Sequence, residues 1–92
     1  MQSIESYREG ADRLSQVVVN EFGFSWQAGR TLTTEFSDLV ERACQYRDAR
    51  EIANNHREFG MLSELDVVKQ ETTRNAFADA FKDYWEKNHH AA

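Results

Sequence analysis

The chain has 92 residues, 11 Lys and Arg against 16 Asp and Glu, a formal net charge of −5, four glycines and no proline. That length excludes barrels and other large catalytic scaffolds of roughly 200 residues or more, while two Trp, three Tyr and six Phe are too many for a chain that stays unfolded. The acidic balance and the scatter of the basic residues argue against nucleic acid or anionic lipid as a partner, because both need a basic face.

The only β-branched cluster is Val17-Val18-Val19, whereas helical periodicity runs from end to end. Ser3 is placed as an N-cap ahead of Ile4. From there Ile4, Tyr7, Ala11, Leu14, Val18, Phe22, Leu32, Phe36, Leu39, Val40 and Ala43 fall on one side of a helical wheel. Gly23 and Gly29 bracket a candidate loop, but the apolar stripe keeps its phase across them, which predicts one long helix over about residues 3–45. Asp48-Ala49-Arg50-Glu51 has the spacing of a capping box, so the turn is expected at about 45–48. A second stripe, Ala49, Ile52, Phe59, Leu62, Val67, Phe77, Phe81, Tyr84 and Trp85, keeps phase across Gly60 and predicts a helix over about 49–88. Its middle is weak, with Ser63, Asp66, Gln70 and Thr73 on the supposed buried side.

The fold expected is therefore all-α: two long antiparallel amphipathic helices forming a helical hairpin that associates as a coiled-coil or bundle oligomer. Each helix would be about 60 Å long at 1.5 Å per residue. The alternative is a compact three-helix bundle, broken at Gly23–Gly29 and at Gly60–Ser63, with helices over about 3–22, 30–59 and 63–88. In it, Ser63-x-x-Asp66 caps the last helix. Either way the 92 residues form a single domain.

Chemistry-bearing residues are sparse. Cys44 is the only thiol, so no internal disulfide exists, and it lies at the edge of an apolar stripe, where a free cysteine packs as a small hydrophobe. His56 has no second histidine at metal-ligand spacing, and the adjacent His89 and His90 would point about 100° apart on a helix. Phosphate loops, CxxC pairs and nucleophile elbows are absent from the sequence. No catalytic residue, metal or cofactor is assigned on this basis. No apolar run reaches the roughly 20 residues that span a bilayer, and the N-terminus lacks the pattern of a signal peptide. A cytoplasmic location is expected.

Residues Asp48 to Phe59, preceded by Asp38-Leu39-Val40-Glu41-Arg42-Ala43, resemble phasins, small helical proteins that coat bacterial polyhydroxyalkanoate granules. Asp48 matches the family's capping residue, Glu51 the acid three later, and Glu58-Phe59 the acid–aromatic pair. Asn55 and His56 stand where the family pattern has an aliphatic residue and a glutamine. The resemblance covers about residues 30–85 and implies a non-enzymatic, oligomeric protein that meets a partner helix or a hydrophobic polymer. The surface expected to do so comprises Leu32, Phe36, Leu39 and Val40 on the first helix and Phe77, Phe81 and Trp85 on the second. Phe24, off the first stripe, and Trp26, at its margin, join them. The expected partners are further copies of the chain, a polymer granule surface, or another protein bound by a small helical adaptor.

Overall fold

The structure is a computed structural model that describes residues 3–27 and 34–88, with side chains described for residues 3–20 and 37–87. It is all-helical: α1 (Ile4–Glu9), α2 (Ala11–Gln27), α3 (Thr34–Glu58) and α4 (Glu64–Asn88). α3 and α4 form an antiparallel hairpin, and the N-terminal arm lies on it, α1 against α4 and α2 against α3.

The arm is two helices with Gly10 between them. The Gly10 N–H donates to the Ser6 carbonyl at 3.0 Å and the Gly10 carbonyl accepts the Leu14 N–H at 2.9 Å, so Gly10 closes α1 and opens α2. Ser3 occupies the N-cap position with extended backbone, but its hydroxyl makes no capping bond; its carbonyl accepts the Ser6 N–H instead.

The two-helix expectation is corrected at its one turn and in both of its helices. The stretch 45–48 lies inside α3, and Asp48 is an exposed residue of that helix rather than a cap. A helix over 3–45 fails as well, because Asp12 of α2 contacts Tyr46 of α3, 34 residues away. A straight helix would hold those residues about 50 Å apart. Gly23 is helical, within α2, while Gly29 and Leu32 lie outside the described residues. The molecule measures 49 × 34 × 16 Å, too short for helices of 60 Å.

The real reversal is at Gly60, which adopts φ 69°, the left-handed conformation that favours glycine. The Met61 N–H reaches back to the His56 carbonyl at 2.6 Å and the Gly60 N–H to the Arg57 carbonyl at 3.1 Å. These are the paired bonds of a Schellman ending, which satisfy the last carbonyls of α3. Ser63 then opens α4 with the capping box of the three-helix alternative. Its hydroxyl accepts the Asp66 N–H at 3.2 Å, and the Asp66 carboxylate accepts the Ser63 N–H at 3.0 Å. Phase across Gly60 is coincidental: Phe59 and Phe77 are 18 residues apart, a whole number of helical turns, but Phe59 falls in the turn after α3 and Phe77 on α4.

The core joins all four helices. Tyr7, Ala11, Val18, Leu39, Val40, Ala43, Tyr46, Phe77, Ala78 and Phe81 are buried together. Phe81 is its aromatic centre, with ring centroids of Tyr7, Phe77, Tyr84 and Trp85 at 5.9–6.3 Å. Fully buried Ser15 sits between Ala11 and Val18 and donates its hydroxyl to the Asp12 carbonyl at 2.9 Å. A small residue there lets α2 approach the hairpin closely.

Candidate interaction surface at the hairpin tip

The α3–α4 hairpin extends beyond the arm, and its outer part is a bare pair of helices. Between residues 51 and 72 only Ala53 and Asp66 are buried. With so little apolar packing, the tip is closed by a polar cluster around one carboxylate oxygen. Asp66 Oδ2 accepts the Ser63 N–H at 3.0 Å, the Ser63 hydroxyl at 3.0 Å and His56 Nδ1 at 2.8 Å. His56 comes from the last turn of α3 and Ser63 and Asp66 from the start of α4, so this cluster pins the two helix ends together. The Ser63 N–H, foremost, and then His56 hold the Asp66 carboxyl below the usual carboxylate range.

Around this lock the apolar side chains face outward. Phe59 is 77% exposed, Met61 67% and Leu65 61%, and Ile52, Leu62 and Val68 are exposed with them. Ile52 lies on α3 and Phe59 directly follows its last residue, while Leu65 and Val68, three apart, share one face of α4. Phe59, Met61, Leu62 and Leu65 follow one another through the turn and the start of α4, and Val67 is exposed beyond them. Summed over whole residues, Ile52, Phe59, Met61, Leu62, Leu65 and Val68 expose roughly 600 Å², on the scale of the largest apolar patch of a typical monomer. Exposed charges of both signs surround them: Arg57 and Lys69, and Glu51, Glu58, Glu64 and Glu71.

The residues expected to form a contact surface are placed elsewhere. Leu39, Val40, Phe77 and Phe81 are buried, covered by helices of the same chain and not by partner chains. The arm fills the place that the expected oligomer was to fill. Trp85 is partly exposed and stacks on Phe81 with an interplanar angle of 13°. Phe24, Trp26 and Phe36 lie in α2 and α3 where side chains are outside the described set, and Leu32 is outside it altogether. The tip residues were missed because a hydrophobic wheel treats every apolar residue as core. The signal was there in Phe59-Gly60-Met61-Leu62-Ser63, where apolar residues flank a helix stop in place of the polar residues a turn prefers.

Other polar groups serve the fold. Asp12 accepts a close hydrogen bond from the Tyr46 hydroxyl and pairs with Arg50 at 3.2 Å, which fastens α2 to α3. Burial, followed by the bond to Asp12, pushes the Tyr46 hydroxyl up to about 12. Cys44 is partly buried, and burial, then the Asp48 carboxylate, raises its pKa, so the thiol stays protonated and a poor nucleophile. Asp38, Asp79 and Asp83 line a groove between α3 and α4, where Arg42 pairs with Asp38 at 2.9 Å. Among the described residues no three His, Cys, Asp or Glu side chains come together as a metal-binding group, and no helix is long and apolar enough to cross a membrane.

What the fold and this surface define is a small all-helical protein with an apolar projection. Comparison with family models, with curated proteins and with solved structures finds no match to the chain.

Proposed function

We propose that this protein is a non-enzymatic interaction module that docks on an apolar surface of a protein partner through the tip of its α3–α4 hairpin. The observation that carries the reading is the exposure of Phe59, Met61 and Leu65 on a projection whose closure depends on the Asp66 polar cluster. Exposed apolar side chains do not help to close the tip. They gain free energy only when another surface covers them, about 1.5–3 kcal/mol for each large side chain fully removed from water.

The chemistry of the polar groups supports a non-enzymatic role. Ser63, Asp66 and His56 are the residue types of a hydrolytic triad, but Ser63 and His56 both bond the same Asp66 oxygen. A relay needs the histidine between serine and carboxylate, so that it can take the serine proton. Here the hydroxyl proton is directed at the carboxylate, the arrangement of a helix cap.

A photo-reactive side chain at Met61 should form adducts with protein in the cells of origin, and the same group at Asp83, near the end of α4 away from the tip, should form few. Equal labelling from both positions, or none from Met61, refutes the reading. The granule-coat role implied by the phasin resemblance is a second reading, favoured by the projecting apolar tip. It requires the tip to adsorb, because Leu39, Val40, Phe77 and Phe81 are already covered. Parent protein would then coat polymer particles and a Phe59→Asp, Leu65→Asp variant would not.

A further inference from the structure

We infer that the occupant of the tip is a second copy of this chain, held tip to tip in a twofold-symmetric dimer. The inference rests on the reading of the tip as a docking surface and names the partner.

Three observations carry it. The first is area: covering most of the roughly 600 Å² that the six residues expose on each copy buries about 1,000 Å² in all, the lower bound for a specific protein–protein interface. The second is architecture. Near the core the hairpin is covered by the arm, but at the tip it is two helices with only Ala53 and Asp66 buried. Two such tips packed against each other make a local four-helix bundle, the smallest arrangement that gives each helix pair an apolar neighbour. The third is charge. Arg57 and Lys69 share the rim with Glu51, Glu58, Glu64 and Glu71. Across a twofold axis the two cations of each tip can each meet an acid of the other copy, and the two remaining acids per tip stay at the solvent-facing edge.

The geometry makes the contact isologous. Phe59 and Leu65 of one copy insert beside Leu65 and Phe59 of the other, while the arms and the Phe81 cores stay at opposite ends of the assembly. The acidic groove of Asp38, Asp79 and Asp83 remains outside the contact.

Sedimentation equilibrium over a range of concentrations tests the mass, with 10.7 kDa for the monomer and twice that for the dimer. The parent should dimerise, and Phe59→Asp and Leu65→Asp should each weaken the dimer at least tenfold with helix content unchanged. Both residues are exposed, so neither charge is buried in the monomer. Spin labels at Leu62→Cys in a Cys44→Ser background should report a short distance between copies, and labels at Lys87→Cys a long one. A parent that stays monomeric at every concentration overturns the dimer. If Met61 still cross-links to another protein in that case, the docking surface survives and only its occupant is wrong. A dimer that persists in both Asp variants, or a short Lys87 distance with a long Leu62 distance, also overturns the proposal.

Discussion

Alanine at the two described glycines that interrupt the helices should shift stability in opposite directions. Gly60 has φ 69° and nothing within 4 Å of where a Cβ would sit. The cost of Gly60→Ala is therefore conformational alone, roughly 1–2 kcal/mol for an L-residue held left-handed. Part of this is offset by the smaller entropy of the unfolded alanine chain, about 0.4–1 kcal/mol. The net loss is about 1 kcal/mol, a fall in Tm of about 4–8 °C for a domain of this size. Gly10 has φ −87°, and its Cβ would meet the Ser6 carbonyl oxygen at 3.4 Å and Leu14 Cδ1 at 3.7 Å, ordinary contacts. Gly10→Ala should gain about 0.4–1 kcal/mol, because alanine takes this negative φ without strain and its unfolded chain has less backbone entropy to lose. Thermal unfolding followed by far-ultraviolet circular dichroism, with urea titration to check that the m-value is constant, reads both. One helix running through Gly60 would make both substitutions stabilising. A rise in Tm for Gly60→Ala would refute the hairpin turn described above.

Removing the ring of Phe77, the largest fully buried side chain, should cost about 3–5 kcal/mol in Phe77→Ala, whereas Phe59→Ala at the tip should stay within about 0.5 kcal/mol, as urea unfolding of the two variants will show. Asp66 should add an acid limb to stability. Its folded pKa lies below the unfolded value of about 4, so its contribution is present above that pH and is lost as the pH falls through the lower folded value. Asp66→Asn should flatten this limb in unfolding measured across the acid range, and an unchanged pH dependence would show that Asp66 does not produce it.

All-helical character was legible in the sequence because no proline and almost no strand signal compete with the 3.6-residue period. The first stripe also identified true core residues: Tyr7, Ala11, Val18, Leu39, Val40 and Ala43 are buried as it implies. Phase continuity misled the topology, since separate helices can share a phase when the interval between them is a whole number of turns. Asp48 and Glu51 satisfy the capping-box pattern yet sit on the exposed side of α3, where acids are equally at home. Ser63 and Asp66 satisfy the same pattern and do cap. The difference lies in Gly60, whose left-handed backbone stops α3 just before them. The tip is not legible as a surface in the sequence because Phe59 and Leu62 fall on the same stripe as the true core residues of α4. Only the chain reversal shows that this half of the stripe has nothing opposite it.

The uneven distribution of buried groups along the hairpin gives the molecule a gradient of local stability. Around Phe81, opening α4 means separating rings contributed by two helices, together with the buried side chains of the other two. Around Ala53, opening means losing one methyl contact and the bonds to a single carboxylate. Amide hydrogens near the tip should therefore exchange with solvent through partial openings that leave the Phe81 end closed. Such openings change the spacing of the residues around Phe59 and Leu65, so the shape that a partner would meet is adjustable. A partner that covers the tip removes this freedom, and the order it imposes is subtracted from the affinity it gains.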